Sequence, residues 1–126
     1  MNLKATHHVA IRTQNFAAME QFYTQTLGFP VAKRWDDATI IFIDVGSTTI
    51  ELIRRDTAPA PNSPAGAFDH LALHVDDVDV AYQELVDKNI KIRNTPYNFK
   101  EIRICFFFDP DGNLIELVED PRQEGK

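Results

Sequence analysis

The feature that most constrains this chain is an internal repeat. His8-Val9-Ala10-Ile11-Arg12 returns as His70-Leu71-Ala72-Leu73-His74, an offset of 62 residues in a chain of 126. A second correspondence follows: Asp44-Val45-Gly46 through Glu51-Leu52 matches Asp109-Pro110-Asp111 through Glu116-Leu117 at an offset of 65, so small insertions separate the strands. A chain built this way uses one folding unit twice.

The hydrophobic pattern gives both halves the same plan. Residues 3–13 alternate apolar and other side chains with period two, which reads as a strand. A helix follows, with Asn15 as its cap, Phe16, Met19, Tyr23 and Leu27 on one face, and Gly28 at the left-handed C-terminal position. Three strand-like runs come next, PVAKRWD, ATIIFIDV and TTIELIRR, the last two joined by a DVGST turn. The Pro-rich segment 56–66 suits neither a helix nor a central strand and is read as a connector. The second half repeats the order: strand DHLALHV, a helix capped by Asp77 with Val78, Ala81, Tyr82 and Leu85 on one face and Asn89 at its end, then KIRNTPY, EIRICFFFD and NLIELVE, with DPDGN as a turn. The expected fold class is α+β, two tandem βαβββ modules over 3–55 and 67–119 within a single domain, 1–126.

Composition narrows the function. A net charge of -6 and a pI near 5.1 leave no basic stripe to replace phosphate counterions, so nucleic acid is not an expected partner. No run approaches the roughly 20 apolar residues of a membrane span, and MNLKATHH lacks the apolar core of a signal peptide, so no membrane partner and a cytoplasmic location are expected. The single cysteine, Cys105, sits in an apolar run and is read as a packed small hydrophobe.

Strand alternation puts His8, Ala10 and Arg12 on one face with Val9 and Ile11 behind, and does the same for His70, Ala72 and His74. Glu51 and Glu116 each lie between aliphatic neighbours on the last strand of their half. Taken singly, these are ordinary strand residues, and His8 with Glu51 and His70 with Glu116 could be two ion pairs in separate halves. Jointly, two imidazoles and two carboxylates at repeat-equivalent places make a good ligand set for a divalent ion, whose charge two carboxylates would balance. Ni, Co, Zn, Mn and Fe(II) all accept such mixed ligands. His7, on the opposite face from His8, is read as structural, and His74 as lining the cavity.

The segments HHVAIRTQNFAAMEQFYTQTLGF, TIELI, FDHLALHVDDVD and FFDPDGNLIELVE resemble the vicinal oxygen chelate superfamily of glyoxalase I, bleomycin-resistance proteins and extradiol dioxygenases, over residues 4–119. The resemblance implies two modules forming a cupped mixed sheet around one metal ion, held by His8, Glu51, His70 and Glu116. That ligand set is similar to bacterial glyoxalase I, which implies conversion of a 2-oxoaldehyde-thiol hemithioacetal to a 2-hydroxyacyl thioester through an enediolate, with Glu116 or Glu51 as general base. Arg12 matches an arginine that holds a glutathione carboxylate in that family; Arg55 stands where glyoxalase I usually has Asn. Other activities on the same scaffold are an epimerase, a thiol transferase, a dioxygenase or a small-molecule-sequestering protein. A homodimer is expected, since modules of this family often pair across chains.

Overall fold

The structure, a computed structural model, describes residues 1, 2, 4, 6–35, 39–56 and 70–121. The chain divides into two compact units, Met1–Ser63 and Pro64–Lys126. Each unit is a four-stranded mixed sheet with a helix packed on it, in the order strand, helix, three strands. The α+β plan of two βαβββ modules is what the structure shows. Most of the expected connector, 57–66, lies outside the described residues.

In the first unit the strands are β1 (His8–Thr13), β2 (Val31–Arg34), β3 (Ile40–Asp44) and β4 (Thr49–Arg54), arranged β1-β4-β3-β2. β1 runs parallel to β4, and the others are antiparallel. Parallel neighbours cannot be joined by a tight turn, so the chain between β1 and β4 supplies the helix and the hairpin. Helix α1 (Phe16–Gln21) lies over β4, burying Met19, Phe22 and Tyr23 with Ile41, Ile43, Ile50 and Leu52. Alternation decides this core: Ile41 pairs with Leu52 and Ile43 with Ile50, all on the helix-covered side.

Three local expectations change. α1 widens into a π-helical turn, Phe22–Thr26, in which Leu27 N–H donates to the Phe22 carbonyl at 2.9 Å. Asn15 occupies the N-cap position without a side-chain capping bond; instead its N–H donates to Thr13 Oγ1 at 2.9 Å. Val9 is 44% exposed rather than packed behind the strand, because β1 is the sheet edge and α1 packs on β4. Gly28 and Gly46 take the positive φ, 84° and 100°, that their helix end and hairpin require.

The second unit repeats this with β5 (His70–His74), α2 (Val78–Asp87), β6 (Ile92–Phe99), β7 (Ile102–Phe108) and β8 (Leu114–Glu119), arranged β5-β8-β7-β6. Asp77 caps α2 by accepting the Val80 N–H, and Asn89 ends the helix region at φ 58°. Val78 and Leu85 are buried with Cys105, Phe107, Ile115 and Leu117. Asp109, almost fully buried, accepts the N–H groups of Asp111 and Asn113 at 2.9 Å each and the Asn113 amide at 2.8 Å, which locks the turn before β8. Among the described residues no helix is long and apolar enough to cross a membrane.

Candidate functional site

Strand register builds the same cluster in each unit. In the first, Ala10, Glu51 and Phe42 stand in one row across β1, β4 and β3. His8 lies two residues before Ala10 on the same face. The short Ala leaves its ring room to lean along the row, so His8 Nε2 comes within 3.3 Å of Glu51 Oε1. Its ring stands edge-on to Phe42, with centroids 5.7 Å apart. In the second unit Ala72, Glu116 and Phe106 form the row, His70 Nε2 is 3.2 Å from Glu116 Oε1, and the ring meets Phe106 edge-on at 5.6 Å. Both glutamates are half-buried, whereas both histidines are exposed.

The donor set suits a divalent cation. Two ligand atoms about 2.1 Å from one ion and roughly at right angles lie about 3 Å apart, close to the separation seen in each pair. The four expected ligands therefore fall into two pairs of matching geometry, one in each unit.

The remaining expected residues are less tightly placed. Arg12 is exposed on β1, in register with Ile53. Arg55, just beyond β4, buries its Nε without a hydrogen-bond partner. His74, at the far end of β5 from His70, lines a cavity of about 370 Å³ together with Lys100, Arg103 and Glu119. Neither His70 nor Glu116 lines that cavity.

Phe42 and His7 make contacts that strand alternation alone does not predict. Phe42 was findable, since it precedes Glu51 by nearly the interval at which Phe106 precedes Glu116. His7, expected as a structural residue on the opposite face from His8, has its Nδ1 2.8 Å from His8 Nδ1. The alternation rule fails there because β1 begins only at His8.

A separate cluster of three carboxylates, Asp77, Asp79 and Glu119, is hydrogen-bonded within the second unit. Asp77 caps α2, Glu119 accepts the Val78 N–H at 2.9 Å, and Asp79 receives Arg103 through two bonds of 2.7 and 2.9 Å. Hydrogen bonding from Arg103 holds the Asp79 carboxyl below its usual range.

Comparison with known proteins agrees with this layout. The chain is 36% identical over 132 residues to the uncharacterized protein YaeR of Escherichia coli, covering 94% of this chain and 98% of that one. It is 31% identical over 127 residues to the mitochondrial methylmalonyl-CoA epimerase of Dictyostelium discoideum, covering 90% and 76%. Among solved structures, the glyoxalase family protein from Enterococcus faecalis superimposes with a TM-score of 0.76 at 32% identity, covering 94% of this chain and all of that one. The model of the Glyoxalase/Bleomycin resistance protein/Dioxygenase superfamily matches residues 5–117, and the chain belongs to that superfamily.

Proposed function

We propose that this protein is a divalent-metal-dependent isomerase or lyase of the glyoxalase type. One observation carries the reading: an imidazole and a carboxylate 3.2 to 3.3 Å apart, backed by Ala and Phe, occur at equivalent places of both modules. Members of the superfamily typically bind a divalent metal and act on small molecules. In this reading His8, Glu51, His70 and Glu116 together hold one ion, which when bound would supply positive charge to oppose an oxyanion developing next to a carbonyl.

The chain's own residues do the rest. Glu116 or Glu51 takes the proton from the carbon beside the carbonyl and returns it to the neighbouring carbon. The edge-on rings of Phe42 and Phe106 restrict the turning of the histidine rings. Arg12 holds an anionic tail of the substrate away from the reacting carbons, and His74 lines its path. The substrate is a 2-oxoaldehyde-thiol hemithioacetal and the product a 2-hydroxyacyl thioester.

A second reading shares the proton transfer and differs in substrate. The 31% identity to a methylmalonyl-CoA epimerase favours epimerisation beside a thioester carbonyl, with one carboxylate removing the proton and the other returning it. Elemental analysis of the purified protein, then assays with methylglyoxal plus several thiols and with a methyl-branched acyl-CoA, separates the two. The expected result is one divalent ion per set of four ligands, turnover of the hemithioacetal, and loss of the metal in a His8→Ala, Glu51→Ala double variant. Full occupancy in that variant overturns the ligand assignment, and turnover of the acyl-CoA alone moves the protein to the epimerase reading.

A further inference from the structure

The contact between His7 and His8 does more than fill space. Two imidazole Nδ1 atoms 2.8 Å apart can make a hydrogen bond only if one carries a proton and the other does not. His7 is also pinned, because the Thr49 hydroxyl donates to its carbonyl at 3.0 Å from the start of the strand that carries Glu51.

The two ways of placing that proton have opposite consequences at the other end of the His8 ring. If His7 donates, a neutral His8 keeps its proton on Nε2 and gives it to Glu51, 3.3 Å away. No lone pair then remains for a cation. If His8 donates to His7, its Nε2 lone pair faces the Glu51 carboxylate, an arrangement that is repulsive unless a cation lies between them. A metal-bound imidazole is held most firmly when its other nitrogen gives its proton to a fixed acceptor.

We propose that His7 is the positioning residue of His8: by accepting the Nδ1 proton it fixes the tautomer and ring angle that leave His8 Nε2 free for the ion. This rests on the metal reading above. Cation binding then goes with a tautomer exchange in which both rings stay neutral. His8 gives up its Nε2 proton and takes one at Nδ1, while His7 loses its Nδ1 proton and gains one at Nε2, both through water at these exposed side chains.

The test uses the full chain, Zn²⁺ alone as probe, and three forms: the unaltered protein, His7→Phe and His7→Asn. Phe keeps a ring without an acceptor, and Asn places an oxygen near the position of Nδ1. His7→Phe is expected to weaken Zn²⁺ binding in calorimetry by about 10-fold or more, with His7→Asn recovering most of the loss. Nitrogen-15 spectra of the zinc-loaded protein should show His8 protonated at Nδ1 and ligated through Nε2. Equal zinc affinity in the unaltered and His7→Phe proteins, or zinc on His8 Nδ1, overturns the His7 role while leaving the metal site standing. Failure of the unaltered protein to take up Zn²⁺ removes both.

Discussion

At the scale of single residues, the fold pairs some charges within a module and leaves others exposed. Arg103 is tied to Asp79 and Asn98, whereas Arg12 is exposed on the strand that presents His8. At about 3.3 Å per residue along β1, the Arg12 backbone lies roughly 13 Å from that of His8, a spacing suited to holding the tail of a substrate. Arg12→Ala is therefore expected to raise KM for a glutathione hemithioacetal about tenfold with metal content unchanged, the size of one lost charge-assisted bond. Unaltered kinetics in that variant would remove the carboxylate anchor. Cys105 behaves differently: it is fully buried, and burial pushes its thiol up to about 11 from an ordinary 9.0. The folded state thus favours the protonated thiol. Its contribution to stability is complete below pH 9.0 and is lost as pH rises toward about 11. Denaturant midpoints measured across that range should fall more steeply for the unaltered protein than for Cys105→Ala.

At the scale of elements, α2 hangs on its cap. Asp77 accepts the Val80 N–H and Glu119 accepts that of Val78, so two of the helix's free donors are answered by carboxylates from different parts of the module. Asp77→Ala should cost about 1 kcal/mol in chemical unfolding while leaving metal uptake intact. Elements of this kind were legible in advance because each depends on a short stretch: strand alternation in β1 and β5, Asp77 before an apolar helical face, Gly46 and Gly112 in their turns. The errors share a different cause. The widened turn at Phe22–Thr26, the exposure of Val9 and the contact between His7 and His8 depend on which element packs over which, or on where a strand begins. No window of sequence carries that information. The two His-Glu pairs lie between these cases. The repeat in the sequence marks their members, but the row of Ala, Glu and Phe that sets their geometry needs the register of three strands.

At the scale of the whole molecule, each unit supplies one imidazole and one carboxylate of the proposed ligand set. We expect a homodimer in sedimentation, with each ion taking His8 and Glu51 from one subunit and His70 and Glu116 from its partner. Mixing the inactive variants Glu51→Gln and Glu116→Gln after unfolding and refolding should then restore roughly a quarter of full activity, because half the dimers are mixed and each has one intact site. Sites built within one chain would restore none. The parallel pairing of β1 with β4 carries a further consequence. His8 and Glu51 come from strands some forty residues apart, and His70 and Glu116 from strands separated by a similar length, while the β3–β4 and β7–β8 hairpins close over only a few residues. Closing the longer loop costs more entropy, so the hairpins are expected to form first and the parallel edge to join last. A module therefore brings its His-Glu pair together only when its parallel edge has joined.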